Sequence, residues 1–142
     1  MQALTDPQGY FTLEFPEGWE RRADDGVTVL ASPLGLTYVS GARHVHGRQE
    51  DFGRSDFLLR FLESLGLEPD PDEVTSSVGT ACRIYGYRCN HSGAFWSHHS
   101  VTDDETVLLV SYTCEIATAG EEAALVDEII RSIRLFHSGP VH

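Results

Sequence analysis

The sequence contains no lysine: all ten of its basic residues are arginine, against 22 acidic residues. The formal net charge is therefore -12 at pH 7, with an isoelectric point near 4.8. Nucleic acids and anionic lipids are bound through clustered positive charge, so this balance argues against both as main partners. Without lysine the chain also has no Schiff-base nucleophile and no Walker lysine.

Long hydrophobic runs are missing as well. The longest purely apolar stretches have four residues, as at 107–110, which is far too short to span a membrane. Residues 1–11 have neither a basic patch nor an apolar run, so no secretory signal is predicted. Three cysteines, Cys82, Cys89 and Cys114, form no CxxC pair and are expected as thiols in a reducing bacterial cytoplasm. A single disulfide stays open if the protein is exported by another route.

Catalytic motifs are also scarce. There is no GxSxG elbow, no P-loop and no GxGxxG segment in the sequence. Neighbouring carboxylates such as Asp24 with Asp25 and Asp103 with Asp104 fall in predicted turns, where they are typical solvated turn formers. The sequence therefore predicts that the protein is not an enzyme, with an unrecognised hydrolase as the third of three functional alternatives.

What the chain does have is 142 residues with 41% hydrophobic content, enough for one domain with its own core. We expect a single domain over residues 1–136 and a flexible C-terminal tail over 137–142. Two segments carry one apolar stripe at helical spacing and are predicted as helices, 55–66 and 121–135. Segments with alternating or apolar character are predicted as strands: 10–15, 27–31, 36–45, 74–78, 80–90, 93–102 and 105–115.

The order of these segments predicts the fold class. Strands and helices occur in groups rather than in alternation, which is typical of an α+β domain with an antiparallel sheet. Short turns at 90–93 and 103–104 favour a meander of neighbouring strands. Strands 93–102 and 105–115 have apolar residues on both sides, so we expect helices on both faces of a central antiparallel sheet, an α/β/α sandwich.

Short motifs at the two ends carry a family resemblance. An amphipathic strand with Phe11, Leu13 and Phe15 leads into the turn Pro16-Glu17-Gly18-Trp19, and the last predicted helix closes on 129–135, IIRSIRL. With this order of elements, the chain resembles the Mog1/PsbP-like superfamily. The resemblance implies a central antiparallel sheet with helices on both sides and a non-enzymatic binding or accessory role. It does not imply a particular partner.

Seven histidines invite a metal hypothesis. His44 and His46 are two residues apart on a predicted strand, so both project to one face. A structural zinc site needs four protein ligands, and neither CxxC nor HxxxH supplies the others. Cys82 and Cys114 lie on other strands, and the sequence leaves open whether they converge. We therefore predict no metal and no cofactor, and we expect Trp19 to be an anchor of the core.

Aromatic and histidine side chains on the predicted strands form the candidate binding surface. Aromatic rings with polar tips suit a half-wet face and are enriched where proteins bind. The candidate residues are Tyr85, Tyr87, Trp96, His98, Tyr112, His44 and His46.

The function predicted first is a non-catalytic acidic domain that binds another protein, in an accessory, secretion-related or neutralising role. The acidic surface suggests a partner with basic patches, because complementary charge steers encounter. The alternative is a domain that binds a small ligand or a metal in a pocket of histidine and aromatic side chains between a helix and the sheet. The oligomeric state is open.

Overall fold

The computed structural model describes residues 1–43, 56–79, 82–103 and 106–136. Within these ranges it contains two helices, two single 3₁₀ turns and ten strands. The helices are α1 (Asp56–Ser64) and α2 (Ala123–Arg131), and the 3₁₀ turns are Pro71–Glu73 and Ile116–Thr118. The strands are β1 (Gln2–Thr5), β2 (Phe11–Phe15), β3 (Glu20–Asp24), β4 (Val27–Ala31), β5 (Gly35–Arg43), β6 (Thr75–Val78), β7 (Arg83–His91), β8 (Ala94–Thr102), β9 (Thr106–Cys114) and β10 (Arg134–Leu135). His44, His46 and the tail 137–142 lie outside the described residues.

Seven strands form one large antiparallel sheet in the order β3-β4-β5-β9-β8-β7-β6. The predicted meander is confirmed in β7, β8 and β9, which pair with their sequence neighbours. Ser92 and Gly93 both have positive φ angles of 53° and 80°, which suits the two-residue turn between β7 and β8. β5 pairs with β9 along its whole length, so a contact distant in sequence closes the centre of the sheet.

Side chains alternate between the two faces of this sheet, because successive residues of a strand point in opposite directions. The strand register places Tyr38, Ser111 and His98 side by side on one face, which we call the aromatic face. It places Val39, Val110 and His99 side by side on the opposite face, which we call the core face.

The hydrophobic core lies on the core face. Val39, Val101 and Val110 of the large sheet cluster there with Ile129 and Ile130 of α2. Further members come from the large sheet itself and from a second, three-stranded antiparallel sheet with the order β1-β2-β10. The predicted α+β class with antiparallel sheets is thus confirmed.

Trp19 belongs to the same core, and its predicted role as an anchor is confirmed in placement. Only 7% of its surface is exposed. Its backbone N–H donates to the carbonyl of Pro16 at 3.3 Å, closing the turn that follows β2. Gly18 has a φ angle of 92° in this turn, a conformation that side chains other than hydrogen rarely adopt.

The prediction of a helix over 121–135 is wrong at its C-terminal end. α2 ends at Arg131, and the chain then returns to an extended conformation in β10, which pairs with β2. Ser132 explains the change: its hydroxyl donates to the carbonyl of Ile129 at 2.6 Å and accepts from the N–H of Glu14 in β2 at 2.8 Å. A local hydrogen bond thus competes with continued helix, as serine side chains commonly do.

α1 is nine residues long, somewhat shorter than the predicted 55–66. Leu58 and Leu62 are fully buried, and the ring of Phe61 meets His98 of the aromatic face edge-on, with 5.7 Å between ring centres. Among the described residues, no helix is long and apolar enough to cross a membrane.

Candidate functional site: an aromatic pocket

The structure brings four of the predicted site residues to one face. Trp96 and His98 lie two apart on β8, and the register places Tyr87 opposite His98 and Tyr85 opposite Ser100. All four therefore belong to the aromatic face.

Tyr112 is different, and including it in this surface was wrong. It pairs with Ser97 and so points to the core face, where 2% of its surface is exposed. Its hydroxyl donates a hydrogen bond to Glu122 at 2.6 Å.

A pocket of about 380 Å³ lies between α1 and the aromatic face. A volume in this range suits a small organic molecule. The residues that line it are Val27, Tyr38, Ser40, Phe61, Leu65, His91, Trp96, His98, Leu109 and Ser111. They come from α1 and five strands of the large sheet, so the pocket depends on the whole sheet rather than on one loop.

Aromatic rings form one wall of this aromatic pocket. The rings of Trp96 and His98 are nearly parallel, with 7° between their planes and 5.3 Å between their centres. Tyr38 continues the row at 6.4 Å from Trp96, and Phe61 stands at 73° to His98. Offset-stacked and edge-to-face pairs of this kind hold rings in fixed positions, so the wall is pre-formed.

His98 is the polar group at the bottom of the pocket, with 3% of its surface exposed. Its Nδ1 atom lies 2.8 Å from the hydroxyl oxygen of Ser111. Burial, with a smaller effect from nearby His91, lowers the pKa of His98 to about 4. The imidazole is therefore neutral at pH 7. No acidic or arginine side chain is among the described residues that line the pocket.

Two polar atoms on the aromatic face lack hydrogen-bond partners within the described part of the chain. They are the indole nitrogen of Trp96 and the hydroxyl of Ser100, both shielded from solvent. Burying a polar group without a partner costs free energy. The aromatic face therefore carries a cost that a fully apolar packing surface would not carry.

Most of the pocket was not anticipated from the sequence: of its ten described lining residues, only Trp96 and His98 were predicted as site residues. Tyr38, Phe61, Leu109 and Ser111 belong to segments that were correctly predicted as strands or helix, yet none of them was named as a site residue. Only part of this arrangement could be predicted. The alternation of side chains along 105–115 puts Ser111 and Tyr112 on opposite faces. The pairing of β5 with β9, which places Tyr38 in the pocket, joins segments that are distant in sequence.

Glu122 forms a second cluster that sequence reasoning missed. It lies just before α2, and only 6% of its surface is exposed. Its Oε1 atom accepts from Tyr112 at 2.6 Å and from Ser32 at 2.7 Å, and its Oε2 atom accepts from the N–H of Leu34 at 3.3 Å. This cluster ties the β4–β5 turn to the start of α2. Burial, followed by the Glu122 contact, raises the pKa of Tyr112 well above its ordinary value.

Metal-ligand chemistry finds little support within the described ranges, where no group of three or more His, Cys, Asp or Glu side chains could hold an ion. Cys82 and Cys114 do not converge: Cys114 pairs with Phe95 at one end of β8, whereas Cys82 precedes β7 beside the other end. Burial raises the pKa of Cys82 and of Cys89, which favours inert thiols over reactive ones.

Ser97 and His99 are neighbours on the core face and could suggest a nucleophile with its base. The Ser97 hydroxyl oxygen lies 3.3 Å from Nε2 and 3.5 Å from Nδ1 of His99. A hydroxyl almost equally far from both nitrogens is not aligned with the lone pair of either. This pair therefore lacks the geometry of nucleophile activation.

Solved structures similar to this chain share its fold. Cyanobacterial PsbP from Synechocystis aligns with 95% of this chain and 92% of its own, at 12% identity and a TM-score of 0.61. LpqN from Mycobacterium tuberculosis, whose description assigns it to cell envelope biogenesis, aligns over 98% and 91%, at 12% identity and a TM-score of 0.57. A Bacteroides thetaiotaomicron protein matches 99% of this chain at 15% identity and a TM-score of 0.66.

This chain spans only half the length of the Bacteroides protein. No family model matches the sequence, and no curated protein matches it. At these identities the likeness concerns the fold alone, which is PsbP/Mog1-like, as the motifs at the two ends of the sequence predicted.

Proposed function

We propose that this chain binds a small, uncharged and largely apolar molecule in the aromatic pocket. The observation that carries the proposal is the pocket itself: about 380 Å³, walled by Tyr38, Trp96 and Phe61, with a neutral His98 at its base. Ligand sites typically combine such apolar walls with a few placed polar groups. From the sequence, this function is the second alternative, behind a protein partner, with its site in a pocket of histidine and aromatic side chains between a helix and the sheet.

We also infer that α1 and α2 cover opposite faces of the large sheet, as a three-layer α/β/α sandwich. Two contacts support this inference. Phe61 of α1 packs against His98, and Val126 of α2 belongs to the core cluster with Val110. His98 and Val110 point to opposite faces of the sheet, because Val110 pairs with His99, the neighbour of His98 on β8. The aromatic pocket would then be the space between the outer layer formed by α1 and the central layer.

The experiment is a titration with a neutral apolar fluorophore, N-phenyl-1-naphthylamine, at pH 7. We expect saturable enhancement of its emission. Replacing Ser40, which lines the pocket, by leucine fills part of the cavity, and we expect Ser40→Leu to weaken binding at least about tenfold, equivalent to about 1.4 kcal/mol.

Ser77→Leu is the matched control, because Ser77 of β6 points to the core face and lines a different cavity. Thermal unfolding of both variants checks that the fold is retained. Binding that does not saturate, or that is lost in Ser77→Leu and kept in Ser40→Leu, would contradict the proposal.

A protein partner with a basic surface stays a prediction, and the net charge of -12 is what favours it. It is tested by purifying proteins that bind the immobilised chain at low and at moderate salt. Partners attracted by charge should be released as salt rises.

The compartment also stays open. Three free cysteines fit the predicted cytoplasm, whereas the envelope assignment of LpqN suggests an alternative.

A further inference from the structure

A second site lies on the core face, separate from the aromatic pocket. Two cavities of about 190 Å³ and 440 Å³ lie between α2 and strands β6 to β8. They share Arg88, His99 and Asp127, so they form one continuous groove with these three residues at its middle. We call it the arginine groove.

The two ends of the arginine groove differ in chemistry. The smaller cavity is lined largely by apolar groups, including Phe95, Ala123 and Val126. The larger cavity is lined by hydroxyl and charged groups, including Thr75, Ser77 and Arg131. This division suits a molecule with an apolar body and a polar head.

Only some of the charged side chains that line the groove form ion pairs with each other among the described residues. The Nε atom of Arg131 donates to Asp127 at 2.9 Å, one turn apart on α2. Arg88 of β7 makes no ion pair with any residue that the structure describes, although it borders both cavities. The larger cavity also contains Glu73, which opposes a second negative charge on a ligand. One uncommitted guanidinium therefore matches one carboxylate, which its planar fork can bind with two parallel hydrogen bonds.

His99 forms the floor beside Arg88. Its ring lies over Gly86 of the neighbouring strand, where a Cβ atom would be 2.8 Å from Cδ2 and 3.2 Å from Nε2 of the imidazole. A glycine is therefore needed for the ring to lie there. Burial lowers the pKa of His99 to about 4, although a hydrogen bond to the backbone of Val110 opposes the shift, so at pH 7 the ring is neutral and adds no charge to the groove.

We propose that the arginine groove binds a small monocarboxylic acid. The carboxylate contacts the guanidinium of Arg88 beside the neutral ring of His99, and the hydrocarbon or aromatic body lies in the smaller cavity against Phe95, Ala123 and Val126. A dianion such as phosphate is disfavoured by Asp127 and Glu73.

The test is a titration of the isotope-labelled full chain at pH 7 with sodium hexanoate, followed by backbone amide NMR shifts. Hexanamide, which has the same body without the charge, and inorganic phosphate are the comparison probes. We expect saturable shifts around β7, β8 and α2 with hexanoate only. Arg88→Gln should weaken hexanoate binding about tenfold or more, since hydrogen bonds to charged groups are among the stronger ones.

Arg22→Gln is the control, because Arg22 is an exposed arginine of β3, at the opposite edge of the sheet. Ala123→Leu fills the smaller cavity and should abolish hexanoate binding while weak acetate binding remains. Equal binding of hexanamide, tighter binding of phosphate, an equal effect of Arg22→Gln, or no saturable shift would each overturn the proposal. Ser40→Leu, which addresses the aromatic pocket, should leave hexanoate binding unchanged, so the two proposals fail independently.

Discussion

The core face and the aromatic face of the large sheet are built by the same strands, yet the large apolar cluster lies on the core face. On the core face, Val39, Val101 and Val110 are almost completely buried in one apolar cluster. On the aromatic face, His98, Ser100 and Ser111 are buried as well, although they are polar. Both faces are thus shielded from water, and they differ in what they shield.

This difference separates two tasks within one sheet. Close apolar packing gives stability, because it removes the most apolar surface from water. The aromatic face carries the aromatic pocket and two of the three unpartnered buried polar atoms among the described residues, the third being the Thr37 hydroxyl on the core face. These features lower stability and leave room for a ligand. The comparison predicts that substitutions on the two faces have different consequences.

The largest expected effect compares the two tryptophans. Trp19→Ala should lower the free energy of unfolding by about 3–5 kcal/mol, the usual cost of removing a core tryptophan. Trp96→Ala should cost clearly less, because Trp96 is only half-buried and borders a cavity. Urea unfolding of both variants measures the difference. Equal losses would mean that the aromatic face is as much a part of the core as the core face.

The Glu122 cluster is a polar exception on the core side of the molecule and sharpens the comparison. Glu122→Gln should destabilise by about 1–3 kcal/mol, since it disturbs buried hydrogen bonds to Tyr112 and Ser32. Glu121→Gln changes the same charge at an exposed neighbour and is the matched control. If both variants unfold at the same urea concentration, the buried cluster contributes nothing to stability.

Acid should weaken the aromatic face through His98. Its pKa is about 4 in the folded chain against an ordinary 6.5, so the unfolded chain binds the extra proton between these values. The stability that the neutral His98 contributes is therefore complete above about pH 6.5 and is lost as the pH falls towards 4. When the pH is lowered from 7 to 5, we expect the free energy of unfolding to fall by about 1–2 kcal/mol less in His98→Gln than in the parent chain. Identical pH profiles from urea unfolding would contradict a neutral buried His98.

The smallest effect on stability is expected at an exposed ion pair of α2. The ion pair of Arg131 with Asp127 is largely exposed, so Arg131→Gln should change the free energy of unfolding by no more than about 0.5 kcal/mol. A loss above about 1 kcal/mol would show that this pair stabilises α2 beyond an ordinary surface contact. Thermal unfolding at low and high salt separates the two outcomes.

The fold class followed from local patterns because both helices and most strands have clear periodicity. The segment 129–135 shows where this fails: its apolar spacing continues that of the helix, but a hydrogen bond from Glu14 in β2 to Ser132 diverts it into β10. A partner 118 residues away in sequence leaves no trace in a local pattern.

The site could be predicted only within one strand at a time. The alternation of side chains along a strand puts Trp96 and His98 on the same face, and it puts Tyr112 and Ser111 on opposite faces. Tyr38 and Phe61 could not be predicted in this way, because they reach the site through the pairing of β5 with β9 and the position of α1, and both belong to the tertiary structure. Arg88 and His99 were overlooked for the same reason, since their groove is completed by Asp127 of α2.

The pairing of β10 with β2 also bears on the order in which the molecule can assemble. β2 lies near the start of the described residues and β10 near their end, and Phe136 donates its N–H to the carbonyl of Tyr10 beside β2. The three-stranded sheet therefore stays incomplete during translation until nearly all the described residues have been made. Contacts between distant segments slow folding, because loop closure precedes the reward of pairing. Until β10 is made, β2 lacks one of its two paired strands, so we expect the three-stranded sheet to be completed late in folding.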